Sequence, residues 1–260
     1  MKMLSSKNNI ILTTSLLLGG GVLLPLTSNA ASSTSNVGGS TVNEGLLSTE
    51  LRLGFNEDDD SSSSDKRFRM REHVDYGFND WYALRILTAQ DKREGDNLEH
   101  QSFTIENRFQ LIEKKDYGWD GGFRLSYSQS DGDKTPHEVE LRLVAETAIN
   151  DKWTIKHNTV IEHDIGEDSV AGISVELRHR LTRKFQSSLP YVKSFELGLD
   201  MFNDFGNLRE LSGYEEQDHQ LGPVVKVSFD NGFSFQSTYR TAISSEGVDD
   251  TYGLFFQKKF

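Results

Sequence analysis

The chain ends in Tyr252-Gly253-Leu254-Phe255-Phe256-Gln257-Lys258-Lys259-Phe260. Successive side chains of an extended strand point to opposite faces. Tyr252, Leu254, Phe256 and Phe260 therefore share one face, and Gly253, Gln257 and Lys259 share the other. The same two-residue alternation recurs upstream from Leu51 onward, in about twelve segments. In one of them Arg67, Arg69 and Arg71 alternate with Phe68 and Met70. In another Glu138, Glu140 and Arg142 alternate with Val139, Leu141 and Leu143. Glu72 and Lys258 break the pattern by falling on apolar faces, and Pro223, which removes a ladder donor, predicts a bulge or a frayed strand start.

The connections alternate in length. Asn79-Asp80, Lys114-Lys115-Asp116, Asn150-Asp151-Lys152 and Asp230-Asn231-Gly232 are short turns, and Ser187-Ser188-Leu189-Pro190 lies in a slightly longer one. Between them run longer polar loops: residues 56–66, 91–101, 129–137, 163–169, 203–218 and 244–250. This rhythm predicts an all-β, antiparallel up-and-down barrel of about 12 strands over residues 48–260. Its termini and short turns would lie in the periplasm and its long loops outside the cell.

Composition bounds the rest. Lys2 and Lys7, the apolar run Ile10 to Leu24, Pro25 and the small residues up to Ala30 predict a signal peptide over residues 1–30. Residues 31–47 are rich in Ser, Thr, Gly and Asn and predict a flexible periplasmic leader. The 260 residues include 28 Lys and Arg and 40 Asp and Glu. Loss of Lys2 and Lys7 with the signal would move the net charge from −12 to −14, which argues against nucleic acid as a partner. No cysteine is present, so hydrogen bonding and packing alone hold the fold. No segment after residue 30 approaches the roughly 20 apolar residues of a spanning helix, but a transmembrane strand needs only about 9–11 residues.

A soluble barrel would carry the same alternation with its apolar face inward. The aromatic positions separate the two. Trp81, Trp119 and Trp153 all follow short turns, and Tyr76, Phe78, Tyr82, Tyr117, Tyr191, Phe195, Phe229, Phe233 and Phe260 gather at the same ends. Amphipathic rings prefer the lipid–water boundary, so these residues are expected to form a membrane-interface girdle. The signal, the alternation and the terminal strand together resemble a Gram-negative outer-membrane β-barrel of porin type. The terminal strand is similar to the signal read by the barrel-assembly machinery, from which Lys258 departs, since a hydrophobic residue is usual there. The architecture is similar to the small twelve-stranded, oligogalacturonate-specific porin family, without a residue-level motif match. That resemblance implies outer-membrane lipids, the assembly machinery and a small hydrophilic solute as partners, and no cofactor.

With apolar faces toward lipid, the opposite faces line the lumen. The expected pore-lining residues are Arg52, Arg67, Arg69, Arg71, Arg85, Arg108, Arg124, Arg142, Arg178, Arg180, Arg240, Glu106, Glu140 and Glu176. Rows of fixed charge select ions, and guanidinium pairs bidentately with carboxylate. The expected function is passive diffusion of small hydrophilic solutes, anions or acidic saccharides favoured. Mutual neutralisation of Arg and Glu across the interior would instead give a plugged, structural barrel. A third reading, a lipid hydrolase, rests on His157 and His179, which fall on lipid faces of neighbouring strands. No nucleophile elbow accompanies them, and no catalytic or metal-binding residue is assigned. Asp58-Asp59-Asp60, Ser61 to Ser64 and Asp65 form an acidic loop without the spacing of a known calcium loop, and read as a solvated loop.

Overall fold

The computed structural model describes residues 32–59, 62–131, 136–166 and 169–260. The expected signal peptide and the Asp60-Ser61 step of the acidic loop lie outside the described residues. The described residues form twelve strands: β1 Leu47–Glu57, β2 Phe68–Gly77, β3 Tyr82–Lys92, β4 Glu99–Ile112, β5 Trp119–Ser130, β6 His137–Ala148, β7 Trp153–Ile165, β8 Ser174–Gln186, β9 Val192–Asn207, β10 Asp218–Phe229, β11 Phe233–Ala242 and β12 Asp250–Lys259. Each strand pairs antiparallel with its neighbours in sequence, and β1 pairs with β12, so the sheet is a closed barrel. The seam runs in register from Ser48↔Lys259 to Glu57↔Asp250 and ends where Phe260 N donates to Leu47 O at 2.9 Å. Closure leaves no unpaired edge, which is the condition for a sheet to cross a bilayer.

The polarity is inverted relative to a water-soluble protein. Val74, Ile86, Ile105, Leu125, Leu143, Leu199, Leu254 and Phe256 all point outward and are exposed. Arg52, Arg85, Glu106, Arg124, Glu140, Arg142, Glu176, Arg178, Arg180 and Arg240 all point inward and are buried. Water would solvate the reverse arrangement; hydrocarbon around the belt solvates this one. At the short-turn end the outward rings interlock. Tyr76–Phe78 (5.0 Å between centroids), Phe78–Tyr82 (5.6 Å), Tyr82–Phe109 (5.2 Å) and Phe109–Phe123 (4.7 Å) make a chain, with Trp81 stacked on Phe109 at 6.2 Å. Each such pair contributes about 0.5–1.5 kcal/mol beyond its buried area. Trp119 and Trp153 open β5 and β7 at the same level. Lys258 faces outward at that rim, its Nζ 4.8 Å from the Phe233 ring centroid and 5.6 Å from that of Phe260. Its stem thus covers apolar surface while its head stays at the boundary.

Phe255 shares the face of Gly253 and Gln257 and points into the lumen, where it is 2% exposed beneath Arg52. Three details differ from the sequence reading. Pro223 produces no bulge: it pairs in register with Leu199 of β9, while the ladder to β11 passes over Gly222 and Pro223. The missing amide therefore interrupts one ladder without shifting it. β3 and β4 reach into the loop expected from Asp91. β9 runs on to Asn207, where a loop was expected from Asn203. The extension is stabilised on its outer face, where Asn203 Oδ1 meets His219 Nδ1 at 3.1 Å and the Tyr214 ring stacks on His219 at 4.3 Å.

Candidate functional site

The inward side chains are organised first by pairing within one strand. Residues two apart share a face, and Glu50–Arg52, Glu140–Arg142 and Glu176–Arg178 are each linked in this way. Pairing between strands follows. Asp75 Oδ1 accepts from Arg85 Nε at 2.8 Å and from Arg108 Nη1 at 2.7 Å. Glu106 Oε1 lies 3.3 Å from Arg85 Nη1 and 3.6 Å from Arg124 Nη1. Two carboxylates thus hold three guanidiniums. Arg180 grips Asp200 with two bonds of 2.6 Å and donates to Gln236 at 3.0 Å. Charge-assisted bonds of this kind are the stronger ones and lock the rows in place.

The run Arg67-Phe68-Arg69-Met70-Arg71 does not act as one ladder. Arg67 and Arg69 converge on Asp91 of β3, at 2.8 Å and 3.4 Å, and Arg67 itself precedes β2. Arg71 lies deeper, and its Nε has no hydrogen-bond partner among the described residues. Sequence reading placed Asp91 at the start of a loop and so missed the counter-charge.

Toward the short-turn end the lumen holds a cavity of about 180 Å³. Its walls carry Arg52, Arg85, Arg108, Arg124, Arg180, Lys156, Lys226 and Lys259, against only Glu50 and Asp75. Toward the long loops the balance reverses on one wall. Glu140 and Glu162 are direct cross-strand partners, and the carboxylates of Glu138, Glu140 and Glu162 converge within 4.8 Å of one another.

Residues 32–46, expected as a leader outside the barrel, lie within it. Their own polarity explains this: the uncharged Ser, Thr, Asn and Gly backbone offers hydrogen-bonding groups to a polar lumen. Gly38 N donates to Asn158 Oδ1 and Gly38 O accepts from Asn158 Nδ2, both at 3.0 Å. Val42 N donates to Gln110 Oε1 at 2.8 Å, and Arg124 Nη2 donates to Gly39 O at 2.8 Å. A side chain at Gly38 would push the Arg124 guanidinium aside and disturb its bond to Gly39 O. Above this point Val37 (2% exposed) meets the ring of Phe202 (0%), and Arg240 covers the ring at 3.9 Å. These three side chains pack together inside the lumen. The Val37–Phe202 contact and the Asn158 cradle were missed because nothing in the period of a strand reveals what threads the barrel.

On the outer face His157 and His179 are direct cross-strand partners, with Nδ1 atoms 3.2 Å apart and His157 Nε2 2.9 Å from Thr159 Oγ1. The two rings and the Thr159 hydroxyl thus form a hydrogen-bonded chain on the outer face.

The barrel is similar to three solved structures. One is described as KdgM porin, with 11% identity and a TM-score of 0.54 over 82% of this chain and 99% of that one. The COG4313 outer membrane channel from Pseudomonas putida F1 aligns with 13% identity and a TM-score of 0.58 over 87% and 100%. The likeness is one of fold. NanC porin shares it at 8% identity and a TM-score of 0.53 over 82% and 100%. No family model and no curated protein matches the sequence. At these identities the porin likeness is one of architecture: strand number, closure and alternation, rather than any shared set of lumenal side chains.

Proposed function

We propose that the chain is an outer-membrane channel for passive diffusion of small hydrophilic solutes, with anions and acidic saccharides favoured. The observation that carries this reading is the lining of the lower cavity, where eight cationic side chains and two carboxylates reach the space, with the counter-charges Glu106, Asp200 and Glu146 set against four of the cations from outside it. A fixed positive lining lowers the entry barrier for anions, and its guanidiniums match carboxylate geometry. The apolar belt and aromatic girdle support a position in lipid, and the outward face of β12 with Phe260 is the segment we assign to recognition by the barrel-assembly machinery. Reversal potentials of the refolded protein in planar bilayers under a salt gradient test the reading. Anion-selective single-channel current is expected; a cation-selective current would overturn it.

The packing of Val37, Phe202 and Arg240 inside the lumen favours a second reading, a non-conducting barrel with a structural or surface role. Absence of current at high protein input, in correctly folded material both with and without residues 32–42, would establish that reading over the first.

A further inference from the structure

Residues 32–43 carry no charge, yet they thread a lumen lined by guanidiniums. Four of their carbonyl oxygens are held by side-chain donors of the wall. Ser32 O accepts from Arg240 at 3.4 Å, Thr34 O from Arg52 at 3.3 Å, Gly38 O from Asn158 at 3.0 Å and Gly39 O from Arg124 at 2.8 Å. These donors come from β11, β1, β7 and β5, so the track encircles the segment. Asn36 Oδ1 adds a fifth acceptor, receiving Gln236 Nε2 at 3.1 Å. The barrel ladder needs none of these contacts: the segment contributes no strand above Leu47. The segment is anchored below by Gly45 N→Gly77 O at 2.8 Å and Gly77 N→Leu46 O at 3.1 Å.

We propose that residues 32–42 are a resident plug occupying the binding track of an extended, carboxylate-bearing solute, which opens the channel by displacing them. The track offers donors spaced along the axis; the plug answers with neutral carbonyls. A carboxylate answers with charge-assisted bonds, roughly twice as strong as neutral ones. The short anchor sets the plug's local concentration on the order of mM, so a solute displaces it by binding the track more tightly or by exceeding that concentration. The inference rests on the channel reading above and adds to it the identity of the gate.

The test compares the mature chain with a variant lacking residues 32–42 in planar bilayers. The deletion is expected to raise single-channel current several-fold, and a synthetic peptide of residues 32–42 added on the short-turn side is expected to block it again. A Gly54→Leu variant supplies a second arm. A Cβ at Gly54 would lie 2.6 Å from the Ser33 backbone carbon, too close for the segment to stay seated. This variant should conduct as the deletion does, and current equal to that of the intact protein would count against the plug. Displacement is read with Ser33→Cys alone. A uronic-acid oligosaccharide at millimolar concentration should speed its labelling by a charged maleimide several-fold, and a neutral glucose oligosaccharide of equal length should not. Equal currents from intact and deleted protein would overturn the plug and leave the channel standing. Silence of both would overturn the channel and the plug together. Labelling indifferent to the acidic oligosaccharide would overturn displacement by solute.

Discussion

Arg240 lies over the ring of Phe202, its guanidinium carbon 3.9 Å from the ring centroid, and both side chains are completely buried. They belong to β11 and β9, with β10 between them. Gln220 of β10 bridges the gap by accepting from Arg240 Nε at 3.0 Å. A cation held against an aromatic face away from water is worth about 2 kcal/mol. The cluster is therefore a bonded element of the wall that projects into the lumen.

Replacing Phe202 by alanine should remove bulk from the lumen and raise single-channel conductance. Truncating a buried phenylalanine in a sealed core costs about 3–5 kcal/mol. Here water can fill the space, so a smaller loss is expected, read as a modest fall in the temperature at which the folded band is lost on gels. Unchanged conductance would place the constriction elsewhere.

Arginines at the two ends of the lumen should differ in effect. All four guanidiniums have a carboxylate partner, Asp91 for Arg67 and Arg69, Glu50 for Arg52 and Glu106 for Arg124, so position decides. Arg52 and Arg124 line the inner cavity, where low-dielectric walls focus the field, and Arg52→Gln with Arg124→Gln should lower anion selectivity more than Arg67→Gln with Arg69→Gln. Asp91→Asn should move selectivity the other way, toward anions. Reversal potentials in the three variants rank these effects.

The imidazole pair on the lipid face gives a stability test. Replacing His179 alone by leucine strips His157 Nδ1 of its cross-strand partner, and interactions of this kind within membranes are worth about 0.6–1.7 kcal/mol. The double replacement His157→Leu/His179→Leu leaves no unpaired ring and should cost less than the sum of the single ones. A double-mutant cycle of urea unfolding in lipid measures the difference; strict additivity would mean that the rings do not interact.

The loop joining β1 to β2 should respond to acid. Asp58 N donates to Asp65 Oδ1 at 3.1 Å, and this amide, helped by Lys66, holds the Asp65 carboxyl below the ordinary carboxylate range. The Lys66 ammonium, 3.0 Å from Glu94 and 3.2 Å from Asp65, is held above its ordinary value by those two partners. Because the Asp65 value is depressed on folding, its contribution is complete above about pH 4 and is lost as the pH falls through the lower folded value. Proteolysis at residues 58–66 should therefore accelerate in acid, and Asp65→Asn should make the rate high and independent of pH in that range.

Much of this fold is written in the two-residue period. Val139, Leu141 and Leu143 against Glu138, Glu140 and Arg142 already state which way β6 faces, and the turns at Asn79, Asn150 and Asn231 mark where strands reverse. Even the inward pairs were legible in principle, since Glu50–Arg52, Glu140–Arg142 and Glu176–Arg178 share the spacing Glu-x-Arg. What the period does not encode is the contact across the lumen. Asp91 meets Arg67 and Arg69 only because of strand register. The Ser- and Gly-rich stretch at 32–43 has the composition of a linker. It becomes an occupant because the wall offers Asn158, Gln110, Arg52 and Arg124 to its backbone, and those four residues are dispersed over more than a hundred positions of sequence.

The seam between Leu47 and Phe260 has a bearing on biogenesis. The first strand must wait, with one side unpaired, until every later strand has been delivered, because its partner is the last to arrive. Ser32 to Asn43 precede that first strand, so they hang beside an open sheet throughout. Once β12 docks on β1 the cylinder surrounds them, and the only remaining routes in or out are its two mouths. Assembly order alone can therefore decide whether a newborn molecule starts its life shut.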